Sequence, residues 1–461
     1  MNFVLFRLFP PDLSYIPNVL SPLLDTIRMS LAGTGLGILL ALIYGCLCTS
    51  FLNKFRFLRV IMRTLIQIIR VIPVLILALA SAFLFGTGVQ AGTVALTVYT
   101  FAVISRLTYE DVDKASVFES ETFKAFNACY LSGVGRYKSF VRCVWPHVSS
   151  GFIENSLYLL EANVRHASIL GYVGAGGIGL ILDEKLSWRQ YSKAGTIILL
   201  LYVMVLFMEY ASNLFRKSSA RSKKIWISVF VLLTALSLFS IPLPKITASG
   251  KIIFLGLCKG FLHPDLSLFN LCKTGIPFLL LQTVLIAALG AVLGTIPALL
   301  IAIIQHFSPK PTSFVASLFV CALRTIPFFV YAVTFIRIFG PGFTTGIFTM
   351  ASLSIGLLTK RFSVILKEMK TGPWQALKVS GTGFFASFRY AILPQIWPRI
   401  KKVILYRFDI NLRDASVLGF AGAGGIGAPL IFAMNAYKWD QAASIILSLM
   451  IFIILIDLTD I

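Results

Sequence analysis

Asn163-Val164-Arg165-His166-Ala167-Ser168-Ile169-Leu170-Gly171-Tyr172-Val173-Gly174-Ala175-Gly176-Gly177-Ile178-Gly179 recurs as Asn411-Leu412-Arg413-Asp414-Ala415-Ser416-Val417-Leu418-Gly419-Phe420-Ala421-Gly422-Ala423-Gly424-Gly425-Ile426-Gly427. The Asn, the Arg, the Ser and every Gly keep one offset, 163 to 411, inside an apolar chain. Such register over polar and glycine positions marks a tandem duplication, so whatever this segment does is done twice.

The duplication extends in both directions. Thr26 with Gly33 and Gly37 is answered by Thr283 with Gly290 and Gly294, Arg70-Val71-Ile72-Pro73 by Arg324-Thr325-Ile326-Pro327, and Pro11-Asp12-Leu13 by Pro264-Asp265-Leu266. The small drifts in offset are loop insertions between parallel repeats. They divide the chain into a first repeat over 1–217, a connector over 218–250 with a membrane helix lacking a counterpart, and a second repeat over 251–461. The second copy stops at Ile461, which answers Asn213.

Composition sets the medium. With 57% hydrophobic and 13% charged residues and a mean hydropathy of +0.86, the chain is far more apolar than a soluble domain. It is expected to be an all-α polytopic membrane protein, since helices satisfy their own backbone in lipid. Apolar runs near 24–50, 58–85, 89–107, 149–162, 195–215, 225–243, 276–304, 313–339, 343–359, 396–408 and 442–460 predict about eleven spans. The short runs 149–162 and 396–408 lead straight into the glycine-rich repeat, and they read as two broken helices.

Lys and Arg set the orientation. Asn53–Arg63 and Arg216–Lys224 carry basic residues and no acid, whereas the turns at 86–92 and 339–343 carry no charge. Positive residues stay inside, which places the N-terminus outside and the C-terminus in the cytoplasm. The net charge of +22 is then an attraction to anionic lipid rather than to nucleic acid. Met1–Leu8 is too short for a signal peptide and is broken by Pro10-Pro11.

Histidines and cysteines are too scattered to suggest a metal site. Of seven cysteines, only Cys258 and Cys272, in one expected outer loop, are placed to pair, and a fortuitous pair of small apolar residues is the plainer reading.

Two cytoplasmic segments share a second pattern: Asn127-Ala128, Gly133 and Pro146 in the first repeat, Gln375-Ala376, Gly381 and Pro394 in the second. Ala, Gly five residues later and then Pro describe a short helix, a turn and a second helix, with the Pro expected to break the chain. The stretch 106–147 holds six Lys/Arg against five acids, while 360–402 holds nine against one, so the two segments are expected to dock unequally.

Arg165 and Arg413 sit at membrane depth, where an arginine costs from about 2.5 to over 10 kcal/mol unless it faces a wet cavity or a partner. A guanidinium fork suits a phosphate-like oxyanion. Asn163, Ser168, Asn411 and Ser416 would add neutral donors, with Gly174, Gly176, Gly177, Gly422, Gly424 and Gly425 giving unwound backbone along the passage. Duplication would bring the two arginines toward a shared axis, as substrate ligands or as a gate. Glu161 and Asp409 lie four residues before them, the spacing of a helical ion pair. A purely structural role for the whole set is the competing reading.

Gly174–Gly179 and Gly422–Gly427 satisfy the dinucleotide pattern G-x-G-x-x-G, but the strand–turn–helix it requires does not fit a broken membrane helix. There is no P-loop and no defensible catalytic constellation. The chain is expected to be no enzyme and to bind no cofactor.

The doubled Ala-x4-Gly segment resembles the coupling loop of permease subunits of ATP-binding-cassette importers, with Asn127 and Gln375 where that family usually has an acid. The repeated Asn-x-Arg-x-x-Ser-x-x-Gly segment and the Pro-Asp loop resemble, over nearly the whole chain, the phosphonate and phosphite importer permeases. The resemblance implies two fused type I permease repeats, a cytoplasmic ATPase dimer docking on the coupling segments, and an external or lipid-anchored substrate-binding protein. The alternative is an ion-coupled carrier or channel built from parallel repeats.

Overall fold

The computed structural model describes residues 8, 10–115, 121–270, 272, 274–419 and 422–458. Residues 1–7 and Ile461, on which the readings of the two chain ends rest, lie outside these. Among the described residues every element is a helix. The chain divides into two compact units, residues 6–256 and residues 257–461.

The first unit holds α1 (Ile16–Leu47), α2 (Arg56–Val71), α3 (Val74–Phe85), α4 (Val89–Ala115), α5 (Glu121–Leu131), α6 (Arg136–Ser139), α7 (Trp145–Leu170), α8 (Ile178–Ser187), α9 (Tyr191–Lys217) and α10 (Ala220–Ser240), and α11 (Ala248–Leu262) carries the chain past the boundary at residue 256. The second repeats the order as α12 (Ile276–Phe307), α13 (Lys310–Thr325), α14 (Phe328–Phe339), α15 (Phe343–Lys367), α16 (Gly372–Val379), α17 (Phe384–Ser387), α18 (Leu393–Leu418), α19 (Gly427–Asn435) and α20 (Trp439–Leu458).

The centre of each unit is one close helix pair, α1 with α4 and α12 with α15. A methyl added at Gly33 would lie 2.7 Å from the Leu96 Cβ, and one at Gly37 would lie 2.5 Å from the Thr100 Cβ. The second unit places Gly290 against Met350 and Gly294 against Ser354 in the same way. In lipid no hydrophobic force draws helices together, so small residues that let backbones approach supply the van der Waals and polar contacts that do.

Two bends escaped the sequence reading. The runs 58–85 and 313–339 were each expected to be one span, with no bend named; α2 meets α3 at 90° and α13 meets α14 at 85°. The cause is the residue before each proline: Ile72 and Ile326 both turn to extended backbone with ψ 120°, because a proline ring clashes with a helical predecessor. Arg70 and Arg324 stand in the last turns before the bends, where a cation complements the helix dipole.

Pro146 and Pro394 do the opposite of what was expected. The helix runs from α6 through a π-helical turn, Phe140–Val144, into α7, with Pro146 in its first turn. Phe388–Ile392 carries α17 into α18 past Pro394 in the same way. The wider turn sits where a proline would strike the carbonyl four residues back, so the helix passes the proline without breaking.

The connector helix α10 packs on α1, with Thr234 filling the space over Gly35. Beyond it, α11 occupies residues expected to form a loop. The Thr247 hydroxyl accepts the Gly250 amide at 3.0 Å and caps its start, and at 15 residues it is too short to span. Cys258 and Cys272 are exposed free thiols.

Among the described residues seven helices are long and apolar enough to cross a membrane, or up to ten if each of three sharply bent pairs is one span. The third pair joins the helix ending at Val173 to α8 at 53°. Its counterpart, α18 with α19, adjoins Phe420 and Ala421, which lie outside the described residues, so the count falls one short of the eleven expected.

Candidate functional site

The Asn-x-Arg-x-x-Ser segments lie inside the regular helices α7 and α18. The discontinuity therefore begins after Leu170 and Leu418, and the runs 149–162 and 396–408 are unbroken helix. Polar residues are tolerated here because each has a partner within the helix or on its neighbours.

Asn163 is fully buried, and its Nδ2 donates to Thr34 Oγ1 at 2.8 Å and Thr100 Oγ1 at 2.7 Å, tying α7 to α1 and α4. Asn411 donates to Ser354 Oγ at 3.0 Å and to the Ala287 carbonyl at 3.2 Å. Ser168 and Ser416 donate to the carbonyls of Arg165 and Arg413, each at 2.6 Å. The two amides are thus held between helices, and the two hydroxyls bond back into their own helix.

The arginines are partly exposed. Arg165 Nη1 lies 2.8 Å from Glu161 Oε1, with side-chain exposures of 15% and 4%. Arg413 Nη2 lies 2.8 Å from both carboxylate oxygens of Asp409, at exposures of 17% and 18%. A guanidinium carries five N–H donors in a fixed fork, and the neighbouring carboxylate offsets its charge.

The glycines end α7 and α18 with one motif. The Ala175 amide reaches the Leu170 carbonyl at 3.2 Å and the Gly174 amide that of Gly171 at 3.0 Å; Ala423 to Leu418 and Gly422 to Gly419 repeat this at 3.2 and 2.9 Å. This is a Schellman cap with left-handed glycine. Gly174 and Gly422 are also pinned by the amides of Gly88 and Gly342, which donate to their carbonyls at 2.8 and 3.1 Å. The chain then enters α8 and α19 through Gly176, Gly177, Gly424 and Gly425, all at positive φ. Thr26 Oγ1 accepts the Ile178 amide at 2.8 Å and Thr283 Oγ1 the Ile426 amide at 3.0 Å.

The two Ala-x4-Gly segments are exposed hairpins. Ala128, Gly133 and Pro146 are exposed, as are Gln375, Ala376, Gly381 and Pro394, while Asn127 is half-buried. Gly133 and Gly381 turn the chain at φ +86° and +78° with no atom within 4 Å of where a Cβ would stand. The hairpins are fastened by different chemistry. In the first, Arg136 donates to the carbonyls of Phe51 and Ser50, the latter at 2.6 Å, beside Phe126 stacked edge-on to Phe51 at 4.7 Å. In the second, Phe384 packs on Phe307 and Trp374, with ring centroids 5.6 and 5.5 Å away.

The Pro-Asp loops also match. Asp12 and Asp265 each cap a short 3-10 turn through the amide of Ser14 or Ser267. Their carbonyls accept Thr196 Oγ1 at 2.7 Å and Ser444 Oγ at 2.9 Å. The Ser267 hydroxyl and amide hold the Asp265 carboxyl below its usual range, with Gln441 adding to them.

Several residues of these networks were not singled out from sequence. Thr34, Thr100 and Ser354 are partners of the asparagines, and Thr100 and Ser354 occupy one repeat position. Arg407, only 3% exposed, donates from Nε to Ser354 Oγ at 3.1 Å, and its counterpart in the first repeat is Leu159. Among the described residues no three His, Cys, Asp or Glu side chains come together to hold a metal ion.

The family described as binding-protein-dependent transport system inner membrane component matches residues 33–224 and again residues 290–459. The chain is 25% identical to the phosphate-import permease protein PhnE of Mycolicibacterium smegmatis, across 98% of this chain and 86% of that one. It is 24% identical to the ABC transport system permease protein p69 of Mycoplasma pneumoniae, across 99% of this chain and 87% of that one. The phosphite transport system permease protein PtxC of Stutzerimonas stutzeri is 27% identical across 39% of this chain and 66% of its own length, about one repeat.

Proposed function

The chain belongs to the family of binding-protein-dependent transport system inner membrane components, matched twice along its length, and we propose that it is the channel-forming permease of an ATP-driven importer of phosphonate, phosphite or a related phosphorus oxyanion. The observation that carries this reading is the doubled arginine site: in each repeat a partly exposed guanidinium is held four residues from a carboxylate. The names of the relatives support the substrate class, and family membership supports an importer over an ion-coupled carrier.

An external binding protein selects the oxyanion and releases it into the passage. There Arg165 and Arg413 exchange their carboxylate partners for substrate oxygens, so the barrier to an anion falls without leaving a bare charge in the membrane when substrate is absent. The Schellman-capped breaks, hung on Thr26 and Thr283, move as rigid pieces with α7 and α18. The same helices begin at the coupling hairpins, so an ATPase dimer docked at Ala128–Gly133 and Ala376–Gly381 drives the arginine segments directly. The N-terminus lies outside and the hairpins lie in the cytoplasm.

The test is uptake of labelled phosphate, phosphite and methylphosphonate by vesicles carrying this chain with its ATPase and binding protein. ATP-dependent uptake that collapses in Arg165→Ala plus Arg413→Ala, with assembly intact, is the expected result. Uptake independent of ATP sinks the importer reading, and ATP-dependent uptake untouched by the double variant sinks the arginine site.

A further inference from the structure

In the first coupling hairpin, Cys143 Sγ lies 3.3 Å from Cys129 Sγ and 3.6 Å from the Ala125 carbonyl. Both cysteines are free and partly exposed, and they stand on opposite arms, Cys129 in α5 and Cys143 in the π-helical turn. Their counterparts in the second hairpin are Leu377 and Ala391, so only one hairpin can form this bond. We propose that Cys129 and Cys143 form a reversible disulfide under oxidant, and that this bond locks the first coupling hairpin and slows transport.

The geometry carries the inference in three steps. Two thiols already in contact need only a small approach to bond, because the arms are otherwise placed by Phe126, Phe140 and Val144 in one core. The bond would span the Gly133 turn and fasten α5 to the π-helical turn. Such wide turns are rare and frequent at functional sites, and a tether on Cys143 would fix this one to α5. The hairpin would then move only as one piece, in one of two otherwise matched coupling positions.

The chemistry balances with a peroxide as oxidant. One thiolate attacks hydrogen peroxide, breaking the O–O bond to give a sulfenic acid and hydroxide; the second thiol displaces the sulfenic oxygen, forming the Sγ–Sγ bond and releasing water. Two thiols and one peroxide thus give one disulfide and two waters, and a small thiol reductant reverses the step. Burial, with the Cys129 thiol beside it, holds the Cys143 thiol above its ordinary range, so the pair oxidises faster as pH rises. In a reducing cytoplasm the pair rests as thiols, which makes it a sensor rather than a permanent staple; this rests on the importer reading and its orientation.

The experiment treats the full transporter in vesicles with hydrogen peroxide. Non-reduced peptides are mapped by mass spectrometry, and hydrogen exchange over 121–147 and ATP-dependent phosphate uptake are followed. Expected are a Cys129–Cys143 peptide pair, slower exchange in that segment and uptake reduced roughly threefold or more, all restored by dithiothreitol and absent in Cys129→Ser and Cys143→Ser. Both thiols remaining alkylatable after peroxide overturns the proposal, as does a disulfide that leaves exchange and uptake unchanged. A bond already complete in protein from unstressed cells overturns the switch. Reduced protein that fails to transport counts against the importer reading alone, because the peptide map and hydrogen exchange still judge the lock.

Discussion

Thr26 reaches 152 positions along the chain to accept the Ile178 amide on its hydroxyl at 2.8 Å, and Thr283 does the same for Ile426 at 3.0 Å. Each bond supplies an acceptor to the first turn of a helix that restarts inside the protein, where an orphan N–H is expensive. Thr26→Val keeps the shape and removes the acceptor, so it should cost about 1–3 kcal/mol. Hydrogen exchange over 171–187 should accelerate in the Val variant and stay near wild type in Thr26→Ser. Equal protection in both would remove the hydroxyl from the account.

Gly177 and Gly133 separate two reasons for glycine. At Gly177, φ is +73° and an added Cβ would meet Thr26 Oγ1 at 2.7 Å; at Gly133, φ is +86° with open space around it. With ψ at −164° Gly177 stands in a backbone region essentially reserved for glycine, so Gly177→Ala should add a clash to a backbone cost of about 1–3 kcal/mol, and the folded fraction on extraction should fall. Gly133→Ala should cost the backbone term alone, whereas Gly133→Asp, changing only an exposed tip, should leave folding near Gly133→Ala and cut ATP-driven uptake. Normal uptake in Gly133→Asp would detach this hairpin from coupling.

What was readable in the sequence was what the duplication repeats. Arg165 with Arg413, the Gly segments and the Ala-x4-Gly hairpins could be placed because each stood at two positions in register. Single-copy features gave no such signal: Arg407 answers Leu159, and the Cys129–Cys143 contact answers Leu377 and Ala391. Geometry that leaves the apolar pattern intact was also hidden. Pro73 and Pro327 sit inside continuous apolar runs, so a turn near 90° looks like a straight span. Pro146 and Pro394 read as breaks because periodicity does not reveal that a π-helical turn can carry a helix past a proline. Asn163 and Asn411 were read as lining a passage; in the structure their amides join neighbouring helices, a choice set by Thr34, Thr100 and Ser354 on other segments.

The two arginine pairs should respond differently to mutation. Glu161 is 4% exposed and Asp409 18%, so removing Arg165 takes the guanidinium from a far drier carboxylate. Breaking a buried pair on one side costs about 3–5 kcal/mol, and Arg165→Ala should lower assembled protein more than Arg413→Ala. Glu161→Gln with Arg165→Gln removes both charges and should recover assembly without recovering uptake. Recovery of both would make the first pair structural; equal assembly of the two single variants would remove the predicted asymmetry.

The hairpin fastenings yield the last contrast. Arg136 holds the first hairpin through a fork on the carbonyls of Ser50 and Phe51, just past the end of α1, whereas Phe384 holds the second by packing on Phe307 and Trp374. A fork cannot be replaced by a point charge, so Arg136→Lys should loosen the first hairpin although charge is conserved. Phe384→Leu keeps an apolar contact and should be milder than Phe384→Ala, which leaves a gap beside Trp374. Crosslinking each hairpin to the ATPase would read the result site by site: Arg136→Lys should lower the yield at the first hairpin and spare the second, and Phe384→Ala the reverse. A loss shared by both hairpins would mean that the fastenings act on the fold as a whole, and that neither hairpin is an independent coupling element.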